Sequence, residues 1–183
     1  VEVTITHLHP TTKHILTGEK LQRYLAVELR DRIQQQGVRI EILDRIARKE
    51  FTVVPHTFQG ERIARVQKIP VPGFGAAVAE IYLNQNKDGQ IHRVWVARNG
   101  TRITDDIRSL PACDRNPWNL NIFEGVIDFP AINPSPGSRH GVVQDEAYTA
   151  FVQELETVAG DLQDLLDRRS RTSQAEMNRT VAK

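Results

Sequence analysis

Arg139 is one side chain in this sequence whose type and setting could serve a phosphate. It sits in Asn133-Pro134-Ser135-Pro136-Gly137-Ser138-Arg139-His140-Gly141, a run of turn formers between a strand-like apolar segment and a long helical pattern. A loop so rich in turn residues is a natural carrier of function. The helix N-terminus beyond it favours anions, and a guanidinium offers a rigid fork that matches phosphate oxygens. On the residues alone the favoured reading is an exposed arginine hydrogen-bonding its own loop.

The other chemically capable residues are less well assembled. His7 and His9 share a parity and would share a strand face, while His14 falls in a loop; no cysteine or acidic cluster accompanies them, so no metal site is expected. Cys113 lies in a polar loop with no histidine near it in sequence and reads as a small apolar residue, not a nucleophile. Asp105 and Asp106 would point to opposite faces of an extended chain, which suits a strand end or helix cap better than a paired-carboxylate site. Gly73-Phe74-Gly75 lacks the third glycine of a nucleotide-binding pattern and falls between two strands, so it reads as a turn. Phosphate-binding loops ending in Gly-Lys-Ser/Thr, HExxH, paired CxxC and GxSxG are all missing from the sequence. Arg168, Arg169 and Arg171 form a basic run that reads as a solvated face, with nucleic acid as the less favoured contact.

The elements that must position these residues follow from periodicity. Val1, Val3 and Ile5 alternate as a strand. Leu21, Leu25, Leu29 and Ile33, widened by Tyr24, mark a helix over 18–36 that Gly37 ends. Val38 to Leu43 alternates as the next strand. Further strands are expected near 49–54, 62–69, 76–83, 91–98 and 122–129, with Asn99-Gly100 as a tight hairpin turn and 101–107 as a returning strand or short helix. Tyr148, Phe151, Val152, Leu155, Val158, Ala159, Leu162, Leu165 and Leu166 make one apolar stripe over about five turns of helix. Asp145 and Glu146 complement its dipole. Beyond Arg168 the stripe is lost, and a frayed or flexible tail is expected over 169–183. Long helices on one face of a mixed sheet give a two-layer α/β or α+β fold.

Composition bounds the rest. The chain has 183 residues, 39% hydrophobic and 26% charged, with a formal net charge of +1. Those values fit a globular protein with no overall field toward nucleic acid or membrane. One cysteine excludes an internal disulfide and suits a reducing cytoplasm. No apolar stretch reaches the roughly 20 residues of a membrane-spanning helix. The opening Val1-Glu2-Val3-Thr4-Ile5 reads as the interior of a longer protein.

The order of these features resembles the GHKL superfamily of gyrase-type topoisomerases, ninety-kilodalton heat-shock chaperones and mismatch-repair ATPases. Residues 1–44 look like the close of its ATP-binding domain, 45–60 like a linker and 61–168 like the chaperone middle, or transducer, domain. The matching runs are Arg93-Val94-Trp95-Val96-Ala97-Arg98-Asn99-Gly100, Leu120-Asn121-Ile122-Phe123-Glu124-Gly125-Val126-Ile127-Asp128, and Asn133 to Arg139 before the long helix. The resemblance implies a ribosomal-protein-S-five-like second-domain fold with a left-handed βαβ crossover over roughly 60–168. It also implies that Arg139, with Ser138 beside it, reaches the γ-phosphate of ATP held with Mg2+ by a preceding domain. The catalytic glutamate, the metal-binding asparagine and the glycine-rich lid of the family would all lie upstream.

Two functions follow as expectations. In the first, the chain is the sensing half of an ATP-driven switch: inactive alone, part of an ATP hydrolase when complete. Its partners would be the preceding ATP-binding domain, a second copy on ATP binding, and a protein client. In the second, it is a non-catalytic module, related to the ATPases only by ancestry, that holds protein or nucleic acid through the helical stripe of 145–168 or the basic end at 168–171.

Overall fold

The stripe read from residue 148 onward is the spine of the fold. In the structure, a computed structural model that describes residues 7, 9, 11–12, 16–85, 92–137 and 141–181, Phe151, Leu155, Val158, Ala159 and Leu162 are all buried on one side of a single helix. Tyr148, Leu165 and Leu166 pack at its margins. The chain divides into two units, Val1–Thr57 and Phe58–Lys183.

In the first unit Thr17 caps helix α1 (Gly18–Glu28), its hydroxyl accepting from the Lys20 amide at 3.3 Å. A break at Leu29 separates it from α2 (Arg30–Gln36), and Gly37 closes the pair in the left-handed conformation expected of it. Strands β1 (Glu41–Asp44) and β2 (Lys49–Thr52) form an antiparallel hairpin. The Asp44 carboxylate organises both ends of this unit, accepting from the amides of Ile46 and Ala47 in the hairpin turn and of Gly18 at the start of α1. Those amides, Ala47 first and then Gly18, hold the Asp44 carboxyl below its usual range. The stretch 45–60, expected as a linker, therefore carries the turn and second strand of a hairpin. The turn Arg45-Ile46-Ala47-Arg48 contains neither glycine nor proline, and Asp44 supplies the order that turn formers would otherwise give. The strand expected over residues 1–6 lies outside the described residues.

The second unit is α+β: a six-stranded mixed sheet with a long C-terminal helix on one face. Its strands are β3 (Glu61–Arg62), β4 (Lys68–Val71), β5 (Gly75–Leu83), β6 (Val94–Arg98), β7 (Thr101–Thr104) and β8 (Phe123–Asp128). They lie in the order β3-β5-β8-β6-β7, with β4 also paired to β5. Only β6 and β8 run parallel. The single strand expected over 62–69 is split by a 3-10 turn at Ala64–Val66. Gly73-Phe74-Gly75 is the β4–β5 turn, as expected, and Asn99-Gly100 the β6–β7 turn, both residues at positive φ. Asp128 locks the latter by accepting from the amides of Asn99 and Gly100 at 2.8 and 2.6 Å.

The parallel pair departs from the βαβ crossover that the resemblance implied. Between β6 and β8 the chain passes through β7 and 3-10 turns at Ile107–Ser109, Pro111–Cys113 and Trp118–Leu120, without an α-helix. The physical reason is in the sequence: Ile107, Leu110 and Cys113 are buried at intervals of three, the period of a 3-10 turn, and Pro111 and Pro117 interrupt any longer helix.

Helix α3 (Glu146–Val181) closes the fold. It runs well past Arg168, so the tail expected to fray is helical over its described residues, 169–181. Residues 169–181 contain no glycine or proline to stop it, and Arg169 pairs with Glu61. No helix is long and apolar enough to cross a membrane among the described residues.

Candidate functional site

The loop that carries Arg139 is anchored at both feet. β8 delivers Phe129 and Ile132 into the core, both fully buried, with Phe129 stacked on Phe151 of α3 at 4.7 Å between ring centroids. Beyond them the two arms of the loop pair. Pro134 and Val142 form an antiparallel bridge, the Ser135 amide donates to Gly141 at 2.8 Å, and the Val143 amide donates to Asn133 at 2.9 Å. Ser138, Arg139 and His140 lie outside the described residues. What the structure places is the frame that presents them.

Asp145 joins this frame to the helix. One carboxylate oxygen accepts from the Asn133 side-chain amide at 2.7 Å, and the other accepts from the Tyr148 backbone N–H at 2.9 Å. The first bond crosses the loop and the second caps α3. Together, with the Asn133 contact the larger, they hold the Asp145 carboxyl below its usual range. The helix N-terminus, expected to assist anion binding, is thus already served by the chain's own carboxylate. A shallow depression beside it is lined by Asp145, Glu146, Thr149 and Gln153, an acidic wall unsuited to phosphate.

The remaining candidates resolve plainly. His7 and His9 are exposed, and His9 Nδ1 bonds the Thr11 hydroxyl at 2.8 Å; His14 lies outside the described residues. No group of histidine, cysteine and carboxylate side chains is placed to hold a metal among the described residues. Cys113 is buried, and burial pushes its thiol up to about 12, so it is protonated and unreactive near neutral pH. Asp106 caps the Ile107–Ser109 turn through the Arg108 amide and grips the Arg108 guanidinium, while Asp105 pairs with Arg102. Asp106 is thus a cap, and Asp105 stands at the end of β7, in line with the strand-end or cap reading of the pair.

A buried polar group escaped the sequence reading. Asn84, His92 and Glu124 meet where β5, β8 and the approach to β6 converge. Asn84 Nδ2 donates to Glu124 Oε1 at 3.3 Å, and His92 Nδ1 stands 3.5 Å from Glu124 Oε2. These residues are 40 positions apart at the extremes of the pairing, so no local spacing could have joined them; only the β5–β8 register does. The site and fold together define an α+β protein with a clasped loop at the head of its long helix. Compared with known proteins, the chain matches no family model, no curated protein and no solved structure.

Proposed function

We propose that this chain is the transducer part of a GHKL-type ATPase, sensing ATP in a preceding domain through Arg139 and passing that state to α3. The observation that carries the reading is the anchorage of the loop: Asn133 is bonded both to Val143 across the loop and to Asp145 at the head of α3. A pull on the tip is thereby delivered to a helix whose far side is packed into the sheet, the coupling a switch requires.

The first unit supports the same reading. It leaves Tyr24, Leu43, Ile46 and Val54 exposed, at 51%, 59%, 93% and 64%, as the edge of a larger ATP-binding domain would. On this reading that domain holds ATP and Mg2+, the protein dimerises as ATP binds and acts on a protein client in the cytoplasm. The described residues here offer the nucleotide only the loop frame. Arg139 would stabilise charge developing on the transferred phosphoryl group. The competing binding-module reading has less to stand on in its apolar form, because the stripe of α3 is spent on the chain's own core. Its basic form rests on Arg168 and Arg171, both exposed.

The test is steady-state ATP turnover of the full-length protein, wild type beside Arg139→Ala, with nucleotide affinity in parallel. Turnover should fall about 100- to 1,000-fold with affinity little changed. Equal turnover would retire the role of Arg139 and move the binding-module reading ahead.

A further inference from the structure

Helix α3 carries its charge in two blocks. From Asp145 to Asp167 every charged side chain is acidic, and from Arg168 to Ala175 every one is an arginine. The helix dipole favours acids in the first turn and bases in the last. It gives no reason for Asp161, Asp164 and Asp167 in the middle of a helix of 36 residues. Within the chain Asp161 pairs with Arg65, Arg169 pairs with Glu61, and Asp167 accepts from Gln163 Nε2 at 2.9 Å. Asp164, Arg168 and Arg171 close no ion pair among the described residues. At about 100° per residue, Gly160, Asp164, Asp167 and Arg171 fall on one line, opposite the buried line of Phe151, Leu155, Val158 and Leu162. All four are exposed. Gly160 stands out among them, because a Cβ there would meet nothing within 4 Å. Glycine weakens a helix interior relative to alanine, and its use is to let another backbone come close. No neighbour in the chain does so.

We infer that this outer face of α3 docks on the same face of a second copy, with the two helices antiparallel. Arg171 of each copy then lies beside Asp164 and Asp167 of the other, and a two-fold axis repeats the contact. Gly160 falls opposite the small, exposed Ala175. A parallel pair would set Asp164 on Asp164 and Arg171 on Arg171, so the charge blocks select the antiparallel one. Exposed ion pairs are individually weak and are screened by salt. The dimer is accordingly weak and salt-sensitive, and it does not rest on the transducer reading.

The experiment is sedimentation velocity of the full-length protein without nucleotide, so that any ATP-dependent dimerisation is silent. In about 50 mM salt the wild type should self-associate with a Kd on the order of 10–100 µM. In about 500 mM salt that association should weaken at least about ten-fold. Gly160→Gln separates folding from docking. Its Tm, taken at about 2 µM where the chain is monomeric, should rise by about 2 °C, while its association weakens about ten-fold or more. Two charge-reversed proteins, Asp164→Lys with Asp167→Lys and, separately, Arg171→Glu, should each associate about ten-fold more weakly than wild type. An equimolar mixture of the two meets opposite charge at every pair and should regain the wild-type Kd within about three-fold. Circular dichroism equal to wild type confirms that each variant is folded. A wild type monomeric at about 500 µM would leave the face to another occupant and overturn the dimer. Association of Gly160→Gln as tight as wild type, or a mixture no tighter than its components, would overturn it equally.

Discussion

At Gly125 the backbone of β8 lies so close to β5 that a Cβ would stand 2.0 Å from the Glu80 carbonyl oxygen, and φ is +150°. No rotamer change relieves a clash with backbone in the middle of a sheet. Gly125→Ala should destabilise the chain by about 3 kcal/mol or more, measured by denaturant unfolding. A loss under about 0.5 kcal/mol would mean that β5 and β8 part easily at this point. Gly125 shows why some residues were silent in the sequence. Asn99-Gly100 could be read as a turn because its constraint is local, whereas the need for glycine at 125 exists only once Ile81 lies opposite it. Asn84, His92 and Glu124 were hidden for the same reason. Cys113 and Asp106 were legible because burial propensity and capping act within a few residues.

The long helix separates what periodicity reports from what it does not. Its stripe was legible because Phe151, Leu155, Val158 and Leu162 recur at helical spacing and all enter the core. Its end was not, because loss of an apolar stripe reports loss of packing and not loss of helix. Residues 171–175 are exposed and the described hydrogen bonds there stay within the helix. Removing 171–183 should therefore lower helical ellipticity while shifting the thermal midpoint by less than about 2 °C. Ending the chain at Gly160 should be far more harmful, since it deletes the fully buried Leu162 and, with it, about 2–5 kcal/mol of core packing. A drop of several degrees on the shorter truncation would show that the tail packs against something after all. The 3-10 turns between β6 and β8 teach the converse lesson: an apolar spacing of three was visible at Ile107, Leu110 and Cys113, but a period-three run carries too few turns to be told from a helix fragment.

For the whole molecule, the two units differ in what could hold them together alone. The second gathers Ile81, Val96, Ile127, Phe129, Phe151 and Leu155 into one core, each at 0% exposure. In the first, the buried residues among those described are Gly18, Arg30 and Val53. The first unit's hairpin has two strands, and a two-stranded hairpin is marginal in water. Its helices are 11 and 7 residues long, below the length at which isolated helices persist. Residues 58–183 expressed alone should therefore unfold cooperatively in denaturant, with Phe58 retained because its ring packs on Tyr82 and Trp95 at 5.4 and 4.9 Å. Residues 1–57 expressed alone should show little helical circular dichroism and no cooperative transition. If 58–183 instead lacks a sharp transition, the sheet depends on the first unit for its stability. If 1–57 folds alone, its apolar surface is not the edge of a larger domain, and the transducer reading loses the support that unit gives it.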